Sequence, residues 1–296
     1  MKHAVLVLAY KNIHHLSEYI QFLDEDFLFY IHIDKKSLIS KEEQAALFNH
    51  KNVVFISRKY KVNWGGVNFL KAMLHLGKEA LKNKEVGYIH SVSGQHFPIK
   101  TAFEIKNFFH ENAGKEFMEF FRLPTERWAH GGLNRVEYYN LYDTFNSKTT
   151  TGFKAIKLAL ILQRLLRIKR KPLKDFPVLY GGSAWWSFSA ACLAYTVDYA
   201  ESHPASMKRL EYTLCAEEMF FQTVIMNSPF KASVVNDNLT LVCWEFRNGN
   251  SPATLDNSDF QNLMKSEKLF ARRFDYPVSK ELMTLLKEEL NKKINA

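Results

Sequence analysis

Short β-branched or aromatic runs alternate with helical patterns through the first third of the chain, and this alternation constrains the fold more than any other feature. Residues 4–9, 27–33, 53–57 and 88–92 read as strands. Residues 12–23 read as a helix, and so do residues 67–81 after the turn Trp64-Gly65-Gly66. Such spacing is the signature of βαβ units and of a Rossmann-like, mostly parallel central sheet flanked by helices. Ligands of doubly wound sheets sit beyond the carboxyl ends of the strands. Those ends here are Tyr10, Asp34 and Ser93-Gly94-Gln95-His96.

The rest of the chain continues the α/β pattern less regularly. A strand is expected at residues 117–121, followed by a polar, aromatic stretch over 122–142. From Lys154 to Lys174 the periodicity predicts an amphipathic helix that sets leucines and isoleucines against Lys157, Arg164, Arg167, Lys169, Arg170 and Lys171. A solvated face packed on a core is one use of such a helix, and docking on an anionic membrane surface is another. Beyond Gly181-Gly182-Ser183-Ala184-Trp185-Trp186, helices are expected at 190–200 and 217–227. Strands follow at 234–244 and 269–275, and a terminal helix begins near Ser279. With no internal repeat or linker, the simplest organisation is one domain over residues 1–296.

Bulk properties narrow the partners. A hydrophobic fraction of 47% supplies a packed core, and a formal charge of +9 favours anionic partners: nucleotide diphosphates, acidic lipid headgroups or nucleic acid. Nucleic acid fits least, because the basic residues do not interleave with aromatics on one strand or helix. Cys192, Cys215 and Cys243 form neither a disulfide framework nor a CxxC site, so a cytoplasmic compartment is expected. Since the apolar stretches fall short of the roughly 20 residues a span needs, the expectation is a soluble protein, or one peripheral on the inner membrane face.

Several residues could carry chemistry. Alternation places His32 and Asp34 on one face at a strand end, either touching a nucleotide or shaping the loop; with His90 and His96 they could instead hold a metal, as in a phosphoesterase. The acidic trio Asp24-Glu25-Asp26 precedes a strand, whereas a ligand loop should follow one, so it reads as a solvated turn. Arg272 and Arg273 interrupt an apolar segment; in a strand only one of them points inward, where its guanidinium could neutralise a leaving diphosphate. Glu217 and Glu218 open a helix, where they either suit the helix dipole or supply a general base.

These segments, in order, resemble the core-2/I-branching β-1,6-N-acetylglucosaminyltransferase family (glycosyltransferase family 14). The resemblance is carried by residues 4–10, the strand Phe29-Tyr30-Ile31-His32-Ile33-Asp34-Lys35-Lys36, Asn63-Trp64-Gly65-Gly66 and Ser93-Gly94-Gln95-His96-Phe97-Pro98-Ile99-Lys100. It continues through Gly182-Ser183-Ala184-Trp185-Trp186, Glu217-Glu218-Met219-Phe220-Phe221-Gln222-Thr223 and Phe270-Ala271-Arg272-Arg273-Phe274-Asp275. It implies a GT-A type fold, with residues 1–110 as the nucleotide-binding half and 111–296 as the acceptor and catalytic half. The implied enzyme inverts the anomeric centre, takes a UDP-sugar as co-substrate, needs no metal or other cofactor, and transfers to a glycan or lipid-linked glycan acceptor.

By position, Glu218 matches the family's catalytic base and Arg273 a basic residue on the donor diphosphate, with Arg247 the nearest candidate for a second. Ala9, Tyr10, His32, Asp34, Trp64, Ser93, Gly94 and Arg272 fall in the segments expected to line the donor. Glu119, Arg127, Trp128, Ser183 and Trp185 fall in those expected to touch the acceptor. The family carries an acid where this chain has His96. The stem, membrane anchor and many cysteines of animal members have no counterpart here, as expected for a cytoplasmic bacterial enzyme building a surface polysaccharide.

Overall fold

The computed structural model describes residues 1–171 and 175–295. Ten strands run in chain order: β1 (Lys2–Ala9), β2 (Phe27–Ile33), β3 (Val53–Ser57), β4 (Val86–Ser93), β5 (His96–Pro98), β6 (Glu116–Arg122), β7 (Tyr180–Ser189), β8 (Val234–Val235), β9 (Thr240–Val242) and β10 (Phe270–Arg272). The helices are α1 (Ile13–Phe22), α2 (Lys41–Phe48), α3 (Asn68–Ala80), α4 (Ala102–Glu111), α5 (Asn134–Glu137), α6 (Thr150–Leu165), α7 (Ala190–Ser202), α8 (Pro204–Leu210), α9 (Glu217–Met226), α10 (Phe260–Lys265) and α11 (Lys280–Asn295).

Seven strands form the central sheet in the order β3-β2-β1-β4-β7-β6-β8, and β5, β10 and β9 form a small second sheet. The first four strands of the large sheet are parallel, β7 runs antiparallel to both its neighbours, and β8 is again parallel to β6. This is the mostly parallel, helix-flanked α/β architecture that the strand and helix spacing predicts. Helices cover both faces, so β1 is apolar at every position from Ala4 to Ala9, as a doubly buried parallel strand must be. Val5 and Val7 enter one core with α1, α4 and α11; Ala4, Leu6 and Leu8 enter the other with α3, α7 and α9.

Several elements depart from the sequence expectation. The strand expected over 234–244 is two two- or three-residue pieces, β8 and β9, which belong to different sheets. The basic helix ends at Leu165, and residues 172–174 of that predicted stretch lie outside the described residues. Helices α2 and α4 are absent from the sequence reading, although Ser40 with Glu43 and Thr101 with Glu104 form complete capping boxes.

Local contacts turn these layers toward a site. Gly182 lets β6 and β7 approach, since a Cβ there would lie 1.9 Å from the Glu119 carbonyl oxygen. Asp143 caps α3 from a distant loop by accepting from the Val67 N–H at 2.7 Å, and Gly66 leaves room for its carboxylate. Asn63 donates to the Tyr142 carbonyl at 2.8 Å, which ties the Asn63-Trp64-Gly65-Gly66 turn to the same loop.

The cores also contain histidines that stay neutral. His3 Nδ1 lies 3.0 Å from His90 Nε2, and His90 Nδ1 lies 2.9 Å from the Ser187 hydroxyl. Burial lowers His3, His15 and His32 to about 4 and pushes His90 and His96 well below the ordinary value. The unfolded chain binds those protons near pH 6.5 and the folded chain refuses them, so stability present above that pH is lost as the pH falls toward 4. Urea unfolding at about pH 7 and about pH 5 should show a loss on the order of 2 kcal/mol or more. An unchanged midpoint would mean that these rings are not buried neutral.

Candidate active site

Cations gather around Tyr10, where the ends of β1 and β2 meet the end of β10. Lys11 Nζ lies 5.6 Å and Lys148 Nζ 5.4 Å from the Tyr10 ring centroid. Burial lowers the pKa of Lys148, and the charges of Arg273, Lys36 and Lys11 lower it further. Asp275 anchors the group: its carboxylate accepts from Lys11 at 2.5 Å, from Gln95 at 3.0 Å and from Asn12, with Arg273 Nη2 at 3.6 Å. Arg273 also donates to Asn250 at 2.9 Å. Because β10 stops at Arg272, strand alternation does not govern Arg273, and both arginines serve the cluster where the sequence suggested one.

Arg272 is held differently. Its guanidinium lies 4.9 Å over the Trp185 ring, and burial together with Arg273 lowers its pKa to about 10. The Nε atoms of Arg272 and Arg273 are buried without a hydrogen-bond partner. A cleft that crowds like charges and leaves donors unpaired favours an anion, since a charged acceptor would satisfy both deficits.

The strand-end side chains shape this cleft. His32 Nε2 accepts from the Tyr60 N–H at 3.1 Å, and Asp34 Oδ1 accepts from the N–H groups of Lys36 and Val62, each at 3.1 Å. Both residues therefore hold the loop between β3 and α3, the second of the two roles open to them. Lys36 reaches Asn63 Oδ1 at 2.6 Å. Gly94 sits where a Cβ would approach the Ala9 Cβ to 3.1 Å, so the tips of β1 and β4 pack closely. His96 Nδ1 accepts from the Ser93 N–H at 3.0 Å, which assigns its proton to Nε2; that nitrogen is buried without an acceptor, and the ring packs edge-on with Trp185 at 4.7 Å. Trp64 is exposed and contacts Tyr142 at 5.7 Å.

Helix α9 is buried at every position except Glu218, which is half-buried, so its first turn carries Glu217 into the interior and leaves Glu218 at its margin. Burial and the neighbouring Glu218 raise Glu217 to about 8. Burial also raises Glu218, while Arg135 and Arg272 oppose the rise. Arg135 Nη1 donates to Glu218 Oε2 at 2.7 Å, whereas one carboxylate oxygen of Glu217 has no partner. The shared negative charge therefore resides on Glu218. Arg135 is itself fixed by Trp128, whose ring lies 3.5 Å from the guanidinium carbon.

Glu119 and Arg127 pair at 3.5 Å at the exposed mouth, and Glu119 is near enough to Glu218 to raise its pKa. The Ser183 hydroxyl accepts from the Trp185 N–H at 3.2 Å, and its carbonyl accepts from Gln222 at 2.6 Å. Arg135, Lys11, Lys36 and Lys148 escape the sequence reading, because single cations separated in sequence form no pattern.

Other expectations divide. Arg247 donates to Asp256 at 3.0 Å, to Ser258 at 2.7 Å and to both oxygens of Asp259, so both terminal nitrogens of its guanidinium are held within its own loop, while its Nε is buried without a hydrogen-bond partner. The acidic trio is indeed a turn, in which Lys106 bridges Asp24 and Asp26 at 2.7 Å each. The phosphoesterase set does not converge: His90 is sealed against His3, and His32 and His96 spend a ring nitrogen on backbone N–H groups. Among the described residues, the group able to share an ion is Cys215, Glu217 and Glu218. There burial favours the protonated thiol and the protonated Glu217.

The family model described as Core-2/I-Branching enzyme matches residues 4–266. Xylosyltransferase 2 of Mus musculus is 25% identical over 282 residues, covering 88% of this chain and 30% of that protein. Xylosyltransferase oxt of Drosophila melanogaster is 23% identical over 286 residues, covering 90% and 30%. The chain thus spans about 30% of the length of the curated relatives it matches. The apo crystal structure of mouse xyloside xylosyltransferase 1 aligns with a TM-score of 0.36 and 10% identity, over 94% of this chain and 98% of that one.

The Glu217 shift yields a test by substitution. Its folded pKa lies above the ordinary 4.5, so its stabilising contribution is complete below 4.5 and is lost as pH rises through about 8. Glu217→Gln, which cannot ionise, should match the parent in urea at about pH 5 and exceed it at about pH 9. A difference between the two that does not vary with pH would show that Glu217 is not a buried neutral acid.

Proposed function

This chain belongs to the Core-2/I-branching enzyme family, and from that premise we propose that it is an inverting, metal-independent glycosyltransferase. It moves a sugar from a UDP-sugar to the hydroxyl of a glycan acceptor. The carrying observation is the juxtaposition of a cation cluster at the strand ends with a charged, half-buried carboxylate, Glu218, linked through Arg272, which lies within electrostatic reach of both.

In this reading the diphosphate lies against Lys11, Lys36, Lys148, Arg272 and Arg273. Fixed cations already in place stabilise the charge that develops on the leaving group, without reorganisation at the moment of reaction. Two observations support metal independence. The nearby carboxylates are occupied, Asp34 by backbone N–H groups and Asp275 by Lys11, Asn12 and Gln95. The positive charge a metal would bring is supplied by side chains instead.

Glu218 removes the proton from the acceptor hydroxyl as its oxygen attacks the anomeric carbon from the face opposite UDP, and the bond to the diphosphate breaks with inversion. Burial raises the basicity of Glu218 above that of an ordinary carboxylate, and Arg135 opposes that rise by favouring the ionised form. Glu119, Arg127 and Trp128 flank the acceptor side. N-acetylglucosamine is the sugar the sequence resemblance implies, and the xylosyltransferase relatives make xylose the second donor to test. A glycan of a bacterial surface polysaccharide is the proposed acceptor class.

Glu218→Gln should bind UDP as the parent does yet lose transfer from UDP-N-acetylglucosamine or UDP-xylose by about 10²- to 10⁴-fold. In Arg135→Met, loss of the cation should raise the Glu218 pKa and move the acidic limb of the rate profile to higher pH. Near-parental turnover by Glu218→Gln would remove Glu218 from the mechanism, whereas UDP binding without any turnover by the parent would favour a sugar-nucleotide-binding module.

A further inference from the structure

Helix α6 has its apolar residues on the wrong side for a core helix. Its core-facing stripe is Gly152, Ile156 and Gln163, and Gln163 is spent on Tyr139, accepting from its N–H at 2.8 Å and donating to its carbonyl at 3.1 Å. Leu158, Ile161, Leu162 and Leu165, spaced i, i+3, i+4 and i+7, point outward, and Leu165 is 73% exposed. Phe153 and Leu166, at 55% and 68% exposed, extend this surface at either end. Apolar side chains scattered singly are ordinary; a contiguous helical stripe of them facing water marks an interaction surface.

Charge identifies the partner. No Asp or Glu occurs between Asp143 and Asp175, while Lys154, Lys157, Arg164, Arg167, Lys169 and Lys171 flank the stripe, all exposed. Arg170 is not among them, since it is buried and donates to backbone carbonyls of Tyr138 and Arg209. Lys169 pairs with Glu137 at 3.1 Å; the other five cations would face like charges if two copies met through this face, with no acid on α6 to pair them. Nucleic acid would match the cations and leave the leucines in water. An anionic bilayer satisfies both, taking the apolar stripe at the acyl boundary and the cations at the headgroups. Among the described residues no helix is long and apolar enough to cross a membrane, so such a helix lies in the interface plane.

We propose that the outward face of α6 docks the protein on anionic lipid. Lys148, a member of the cation cluster, lies two residues before the start of α6 at Thr150. Docking therefore brings the cleft to the lipid surface. On the glycosyl-transfer reading, the acceptor is then lipid-anchored.

Flotation with vesicles needs neither donor nor acceptor, so its failure is distinguishable from failure of the transferase reading. The parent should float with phosphatidylcholine vesicles that contain phosphatidylglycerol, not with phosphatidylcholine alone, and salt should release it. Lys154→Gln/Lys157→Gln/Arg164→Gln should bind on the order of 100-fold more weakly, at about 1 kcal/mol per cation. Leu158→Ser/Leu165→Ser should also detach while melting at the parental temperature. Amide exchange of the parent across Thr150–Leu165 should slow on anionic vesicles, a readout that requires no variant. Absence of binding to anionic vesicles at low salt, undiminished binding of the leucine variant, or a dimer in sedimentation velocity that the leucine variant dissociates would overturn the proposal.

Discussion

Like charges held together in a partly desolvated cleft are the constraint on which the rest of this structure turns. Five cations from separate parts of the chain, Lys11, Lys36, Lys148, Arg272 and Arg273, share one region, and the lowered pKa values of Lys148 and Arg272 reflect burial first and that crowding second. The fold limits the cost with Asp275 and Asp34 beneath them and with Tyr10 and Trp185 as aromatic surfaces for the ammonium and guanidinium groups. The residual imbalance is what an anionic ligand would relieve. The second sheet makes sense in these terms: β10 pairs with β5 and β9, placing Arg272 opposite His96 and delivering both arginines to the edge of the large sheet.

The opposite imbalance exists a short way off. Helix α9 is too apolar to sit at the surface, so its first turn carries two adjacent carboxylates inward. They cannot both ionise cheaply, and Arg135, clamped between Glu218 and the Trp128 ring, decides which one does. Arg272 couples this acid pair to the cation cluster, so a ligand that compensated the cations would also weaken the field stabilising the Glu218 carboxylate. On the proposed reading, donor occupancy would thereby tune the basicity of Glu218 through one guanidinium.

Much of the scaffold was legible because hydrophobic periodicity is a local property. The expected strands at 27–33 and 53–57 coincide with β2 and β3, and the expected helix at 217–227 with α9. Glu218 and Arg273 were singled out by resemblance alone, since neither residue has a local signal that separates it from its neighbour. Sequence reasoning located His32 and Asp34 correctly at a strand end and left their side-chain partners open, because those partners are backbone N–H groups of a loop some 28 residues away. Arg247 was misassigned, as proximity in sequence to Arg273 carried no information about its three partners in the 256–259 turn. Lys148 and Arg135 were invisible for a related reason: their environment is made entirely by distant segments. The orientation of α6 was hidden too, since periodicity shows that a helix has an apolar stripe but not whether protein covers it.

Calorimetric titration of UDP in excess EDTA tests the central claim, that fixed side-chain cations alone hold the diphosphate. With the parent, binding on the order of micromolar should persist in EDTA, and Lys148→Gln/Arg273→Gln should weaken it by about 100-fold. Binding that vanished in EDTA and returned with a divalent cation, or that was indifferent to the double substitution, would contradict it.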